Sequence, residues 1–298
     1  MTPEIFVIVN PAAGGGRAGR EKAAVARYLT SQGRKVELSE SQNSEHVREL
    51  AAEAARAGYS YVVALGGDGT FHHLVEGIQG TSATAALLPA GNGNDIARAL
   101  GIPPDPIRAA DAFLHSSPRM IDLIRGRFAD GRVALSVCAA GIGLDAEAAH
   151  LANTRFRDWP GVTRYLAGAL WTYCKGSEFS LRAELDATVW NGRALLAVVA
   201  NAAEYGSGVR IAPAAKMDDG LLDVVLVRDL SWTRLLEAMP IVLTSGDLRF
   251  QEVERSRCRR VKLEADRKVK VHGDGEVLGE SPVEFEVMPQ AIRVLTLK

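Results

Sequence analysis

The chain has 298 residues, 47% of them apolar and 24% charged, the balance of an ordinary globular protein long enough for two domains. Lys and Arg number 35 against 36 Asp and Glu, so there is no global basic field and nucleic acid is not an expected partner. Cys138, Cys174 and Cys258 stand apart without CxxC spacing, so their pattern suggests neither a disulfide framework nor a zinc site and suits a reducing cytoplasm.

The N-terminus enters the apolar run Ile5–Val9 without a basic segment and long apolar stretch, so no signal peptide is expected. No window reaches 18 apolar residues, and no transmembrane helix is expected either. Ile5–Val9 reads as a buried strand, Gly19–Gln32 as a helix, Lys35–Leu38 as a strand and Ser44–Ala57 as a helix stopped by Gly58. Tyr61–Leu65, His72–Ile78, Ala85–Leu88 and Asn94–Leu100 continue the strand–helix alternation, closed by Gly101 and Pro103-Pro104. Alternation of this kind predicts a Rossmann-like α/β domain over about 1–120, with a mainly parallel sheet.

Beyond Pro118 strands dominate: Ile121–Phe128, Val133–Ala139, Ser180–Val189, Leu195–Ala200, Leu222–Val227, Val261–Leu263, Val269–Val271 and Val283–Val287. Asp130-Gly131 and Asn191-Gly192 read as turns between strands. Only Trp159–Lys175 and Thr233–Ser245 read as helices there. The expectation is a second, antiparallel β-rich domain over about 121–290, with Ile292–Leu297 free to return to either domain.

Three Gly-rich segments follow three of the early strands: Asn10 to Arg17, Gly66 to Thr70, and Pro89 to Asp95. Glycine lets the backbone approach a ligand and aim N–H groups at phosphate oxygens, and a following helix adds its positive end. Loops at the C-terminal ends of parallel strands are where such sheets bind ligands. The loop at Asn10, taken alone, reads equally well as a tight strand–helix connection. Asp68 is different, because a carboxylate among Gly66, Gly67 and Gly69 is unshielded and suited to a metal beside a phosphate. Thr70 would open the next helix and offer its hydroxyl and N–H. The P-loop pattern, a GxGxxG in the first turn and the protein-kinase signatures are all absent.

Asn10-Pro11, Gly66-Gly-Asp-Gly-Thr70 and Gly91-Asn-Gly-Asn-Asp95 together resemble the diacylglycerol kinase catalytic domain family, which includes soluble bacterial lipid kinases and the sphingosine and ceramide kinases. The resemblance continues through Ala140 to Asp145, Asn201, Gly206 to Pro213, Met217 to Asp223 and Gly273-Asp-Gly-Glu276, covering nearly the whole chain in order. It implies an ATP-dependent lipid kinase using Mg2+, with diacylglycerol as the first acceptor to test. Gly66, Gly67, Asp68, Gly69, Thr70, Gly91, Asn92, Gly93, Asn94 and Asp95 would bind the nucleotide with Mg2+, assisted by Asn10 and by Ser39 after the second strand. Glu276 matches the family's general base for the acceptor hydroxyl, and a base is what an attacking alcohol needs. Asp68 is the second catalytic candidate. Asp122 is similar to an active-site aspartate of bacterial members, and Asp145 is a candidate contact for a substrate hydroxyl. Asp219 with the carbonyls of Lys216 and Leu221 would hold a second, structural Mg2+.

Plainer readings stand beside these. Asp274-Gly275 reads as a hairpin turn, Asp218-Asp219-Gly220 as a turn before Leu222–Val227, and Asp145 as a helix cap. Relatives carry Asn-Glu where this chain has His72-His73, and often a serine where it has Ala13. Arg255 to Lys262 is a headgroup-contact candidate or a solvated strand face. Trp159–Lys175 is an apolar lip for acyl chains or a core helix. The expected setting is cytoplasmic, in peripheral contact with the inner face of the membrane; a homodimer is compatible with the sequence but not encoded in any motif. An NAD kinase-like enzyme sharing GGDGT, and a non-catalytic nucleotide or lipid binder, are the rival readings.

Overall fold

The structure is a computed structural model that describes residues 4–159, 163–176, 178–206 and 208–297. It divides into two compact units, Met1–Ile121 with Gln290–Lys298, and Asp122–Pro289.

The first unit alternates β1 (Ile5–Val9), α1 (Ala13–Ser31), β2 (Val36–Glu40), α2 (Ser44–Arg56), β3 (Tyr61–Gly66), α3 (Asp68–Ile78), β4 (Thr84–Pro89), α4 (Asp95–Ala99) and α5 (Pro106–His115). The strands are parallel in the order β2-β1-β3-β4, and Val294 of the C-terminal strand Val283–Leu295 pairs parallel with Ala85. β1 and β4 are buried along their whole length, because helices cover both faces of such a sheet, which is why these strands read as continuous apolar runs. In α2 the buried Val47, Leu50, Ala51 and Ala54 recur at helical spacing, and the Asn43 side chain caps the helix by accepting from the His46 N–H at 2.8 Å. That cap contributes about 1 kcal/mol.

Two differences from the sequence reading have clear local causes. α3 begins at Asp68 rather than His72, since the N–H of Phe71 already reaches the Gly67 carbonyl. α5 was not expected after the proline pair, yet Asp105 caps it through the N–H groups of Ile107 and Arg108, with Pro106 at the first helical position. An Asp-Pro start is a helix signal in its own right.

The second unit contains β5 (Pro118–Phe128, entering from the first unit), β6 (Val133–Ser136), β7 (Ala139–Gly143), α6 (Leu144–Asn153), α7 (Thr163–Cys174), β8 (Phe179–Leu185), β9 (Thr188–Ala194) and β10 (Leu196–Ala200). β11 (Leu222–Val227), α8 (Trp232–Val242), β12 (Val253–Cys258), β13 (Arg260–Ala265), β14 (Lys270–Gly273), β15 (Glu276–Glu280) and β16 (Val283–Leu295) follow. One sheet has the order β12-β11-β10-β7-β14-β15; facing it, β16, β13, β8 and β9 pair antiparallel, with β5 beside β16 and β6 beside β5. Leu222, Val224 and Leu226 of β11 enter the core between the sheets with Phe285, Leu263 and Ile142, whereas Val225 and Val227 pack with Leu235 and Val242 of α8. Period-two alternation with both faces covered explains why β11 shows no polar face. Each fully buried Val or Leu contributes roughly 1.5–3 kcal/mol to this core.

Asp130-Gly131 is the turn of the β5–β6 hairpin, with Gly131 at φ 84°. Asn191-Gly192 is not a turn; both residues lie inside β9, opposite Arg182 and Leu181, and the reversal falls at Asp186, φ 46°. Asp186 holds that conformation by accepting from the N–H groups of Arg259 and Arg260.

Candidate active site

Parallel pairing sets the C-terminal ends of β1, β3 and β4 level with one another, so their loops leave the same edge of the first unit's sheet. Val9 pairs with Leu65, Leu65 with Leu88, and Gly66 with Pro89. The three glycine loops then lock together. The Asn10 side-chain amide donates to the Thr70 hydroxyl at 3.1 Å, and its carbonyl oxygen accepts from the Ala12 N–H at 3.2 Å. Gly14, Gly15 and Gly16 take left-handed backbone angles at the start of α1, and a Cβ on Gly14 would stand 2.0 Å from the Ala90 carbonyl oxygen. Gly67 and Gly91 meet backbone to backbone: a Cβ on Gly91 would lie 2.5 Å from the Gly67 Cα. No side chain fits either contact, so the glycines serve close approach as well as ligand access.

The last loop is held from within. Asn94, left-handed at φ 56°, donates from its amide to the Gly91 carbonyl at 2.9 Å and accepts from the Gly91 N–H at 3.1 Å. Asn is the side chain that tolerates this conformation best after glycine. Arg98 donates to the Gly93 carbonyl at 2.7 Å and pairs with Asp95. Asp68 reaches across to this loop, its Oδ1 accepting from the Ile96 N–H at 2.9 Å. A Cβ placed on Gly93 would come 2.8 Å from Asp68 Oδ2 and 3.6 Å from Asp95 Oδ2. Two carboxylates thus flank one side-chainless residue. Hard oxygen donors in that setting fit a Mg2+ carried by a nucleotide. Ser39 stands inside β2 rather than after it, paired with Ile8, two residues before Asn10. Asn92 is exposed at the tip of its loop.

Three of the remaining candidate positions form a second cluster, in the other unit. Asp122 is completely buried. Its Oδ2 accepts from the Gly220 N–H at 2.7 Å, its N–H donates to the Met217 carbonyl at 2.6 Å, and its carbonyl accepts from the Asn201 amide at 2.9 Å. Asp122 thereby shapes the 217–220 turn. Asn201, also fully buried, reaches the Val137 carbonyl at 2.8 Å as well and so ties three segments together.

That turn is the segment expected to hold a structural cation. Asp219 Oδ1 accepts from the Leu221 N–H at 3.1 Å, and Oδ2 pairs with the Arg257 guanidinium. Arg257 Nε also lies 3.4 Å from Asp223 Oδ2. Burial pushes the Asp223 carboxyl up and neighbouring Asp219 adds to this, while Arg257 opposes both. Arg257 thus places a positive charge beside Asp219, one of the three positions expected to hold Mg2+ with the carbonyls of Lys216 and Leu221.

The GDGE segment is the turn between β14 and β15, with Asp274 at φ 49° and Gly275 at φ 87°. The turn read at Asp274-Gly275 is present. The Asp274 carboxylate accepts from the N–H groups of Val137, Cys138 and Ala139 at 2.6, 2.8 and 3.3 Å, which fixes the turn and presents half-buried Glu276 as the first residue of β15. The side chain of Asp145 lies outside the described residues. Sequence reasoning passed over Asp274 as an anchor and Arg257 as a counter-charge; the glycine-flanked Asp274 and the one-for-one spacing of β12 against β11, which sets Arg257 opposite Asp223, were the available signals.

Of the basic run, Arg255 is exposed yet donates to the carbonyls of Leu248, Gly246 and Ile211, so two of its arginines, Arg255 and Arg257, bind the protein itself. Along α7, Tyr173 packs inward with its hydroxyl on the Leu230 carbonyl at 2.6 Å, whereas Trp171 is exposed and carries Arg155 and Lys175 over its ring. Among the described residues no helix is long and apolar enough to cross a membrane.

Residues 4–125 match the family model described as the diacylglycerol kinase catalytic domain, and residues 138–296 match the YegS C-terminal NAD kinase beta sandwich-like domain. The chain is 30% identical to a diacylglycerol kinase of Mycobacterium tuberculosis over 98% of its own length and 94% of the relative's. It is 32% identical to a Pseudomonas aeruginosa protein named "Probable lipid kinase YegS-like", covering 94% and 91%. The crystal structure of a diacylglycerol kinase from Bacillus anthracis superposes with a TM-score of 0.77 at 19% identity, covering 99% of this chain and 98% of that one. With the glycine loops assembled as described and matches running through both units, the chain belongs to the diacylglycerol kinase catalytic domain family and is a kinase of that family.

Proposed function

We propose that this protein transfers the γ-phosphoryl group of ATP to a lipid hydroxyl, with diacylglycerol as the first acceptor and phosphatidic acid as the product. The observation that carries the reading is the convergence of the Asn10, Gly66–Thr70 and Gly91–Asp95 loops around Asp68. Backbone N–H groups at the start of α3, whose first turn holds Asp68 and Thr70, favour phosphate oxygens through the helix's positive end. Mg2+ bound with the nucleotide supplies charge neutralisation on the transferring phosphoryl group. Asp68 and Asp95 are the side chains that would hold it; Asn10 and Asn94 keep the loops in place, and Ser39, Asn92 and Gly69 line the same end of the sheet.

Glu276 takes the role of general base, accepting the acceptor hydroxyl's proton as the oxygen attacks phosphorus. Asp274 positions it by pinning the turn. The lipid setting requires contact with a membrane surface, and exposed Trp171 with its two overlying cations has the amphipathic character of an interfacial anchor. The expected location is the inner face of a membrane, as a peripheral protein.

The test is phosphate transfer from ATP with Mg2+ onto vesicles or micelles of diacylglycerol, monoacylglycerol, sphingosine, ceramide and phosphatidylglycerol, with NAD as a soluble alternative. A lipid product that falls at least ~100-fold in Asp68→Ala and in Glu276→Ala supports the reading. Transfer to NAD alone, or lipid phosphorylation unchanged by both substitutions, refutes it.

A further inference from the structure

The helix that opens on Asp68 also carries His72, His73 and Glu76, and phosphoryl transfer as described uses none of them. On a helix, Glu76 follows His72 by four residues and His73 by three, so one carboxylate faces both rings. His72 Nε2 lies 3.5 Å from Glu76 Oε1, and His73 Nδ1 lies 2.9 Å from Glu76 Oε2. One ligand atom from each of the three residues falls within 4.8 Å of the other two. Nitrogen and oxygen ligands about 2.0–2.1 Å from a first-row metal stand roughly 2.8–3.4 Å from each other, the edge lengths of an octahedron or a tetrahedron. The two separations lie within about 0.1 Å of that range.

The surroundings suit a cation. His72 is almost fully enclosed at 3% exposure, while His73 and Glu76 keep 17% and 20% and leave the cluster open on one side. Burial alone would push the Glu76 carboxyl up, but hydrogen bonds with His72 and His73 hold it well below the usual carboxylate range, so it is an anion with two nitrogen donors against it. Arg48 on α2 feels the Glu76 charge, yet its own ion pair is with Glu45.

We propose that His72, His73 and Glu76 form a binding site for a first-row transition-metal cation, Zn2+ being the best match to two imidazoles and one carboxylate. Such a donor set discriminates against Mg2+, which takes oxygen ligands. The ion would clamp the second and third turns of α3 together, directly after the turn that carries Asp68 and Thr70. This site is thus chemically separate from the oxygen donors assigned to the nucleotide, although Asp68 lies on the same helix.

The test uses the full chain stripped of metal with a chelator and returned to millimolar Mg2+. Zn2+ titration followed by calorimetry and thermal unfolding should show about one ion bound per chain and, at a hundredfold excess over Kd, a rise in Tm of roughly 5 °C. Because His72 is buried, the informative variants are His73→Gln and Glu76→Gln; each should weaken Zn2+ binding at least tenfold. Co2+ in place of Zn2+ should give visible absorption that both variants lose. Zn2+ binding of undiminished affinity in both variants, or no binding to the unaltered chain at about 100 μM, overturns the proposal. Neither readout depends on kinase activity.

Discussion

The amide of Asn10 and the hydroxyl of Thr70 meet at 3.1 Å across sixty residues of sequence, joining the first glycine loop to the second. Since Thr70 is buried and its hydroxyl also lies against the Gly66 backbone, the bond holds the loop rather than decorating it. Asn10→Ala should cost about 1 kcal/mol in stability and raise the KM for ATP several-fold, with a smaller change in kcat. Denaturant unfolding and steady-state kinetics check both.

Gly93→Ala is expected to act locally. The added methyl would press on Asp68 Oδ2 at 2.8 Å and push that carboxylate away from the nucleotide's cation. Affinity for Mg2+–ATP should fall roughly tenfold or more while stability changes by less than about 1 kcal/mol. Calorimetric titration with a non-hydrolysable nucleotide separates the two effects.

Removing the Asp274 carboxylate should be far more costly than its turn position suggests. Three backbone N–H groups lose a charged acceptor at once, so Asp274→Ala should destabilise the protein by about 2–4 kcal/mol. Asp274→Asn, which keeps one acceptor oxygen, should recover part of this. Lipid phosphorylation should fall in both variants because Glu276 follows the same turn.

Arg257→Met tests the counter-charge at Asp219 and Asp223. In the unaltered protein, millimolar Mg2+ should leave Tm unchanged. In the variant, stability should drop by about 1 kcal/mol, a modest figure because the guanidinium is half exposed, and millimolar Mg2+ should restore much of it. Thermal unfolding with and without Mg2+ measures both responses.

Burial pushes the Cys258 thiol up to about 12, with Asp186 and Asp223 adding to the effect. A thiol whose folded pKa lies above its unfolded value keeps its proton in the native state while the unfolded chain loses it. Stability should therefore decline as pH rises from about 9 towards 12, by up to ~1.4 kcal/mol per pH unit from this group. Cys258→Ala should shallow that slope in denaturation measured at pH 8 to 10.5, and Cys174, which is exposed, should react with thiol reagents first.

The parallel strands and their loops were legible because apolar runs ending in Gly-rich segments admit few other readings. Asp68 stood out as a carboxylate among three glycines, and the structure sets it against the third loop through the Ile96 N–H. What local pattern could not carry was partnership at a distance. Asn191-Gly192 has turn chemistry, but the β8–β9 register places it mid-strand, and only Asp186's bonds to Arg259 and Arg260 decide where the chain reverses. The complete burial of Asp122 depends on a turn almost a hundred residues onward. Arg257 looked like surface charge until β12 set it opposite Asp223.

The strand Val283–Leu295 bears on how the chain is made. Leu295 lies in the same core as Ile5, Val7 and Leu88, and both Thr296 and Leu297 hydrogen-bond to the Leu100 carbonyl. The sheet that carries the glycine loops thus lacks a strand until everything from Asp122 onward has been synthesised. On the ribosome the first unit begins first, yet its sheet gains its last strand beside β4 only after the second unit has been made.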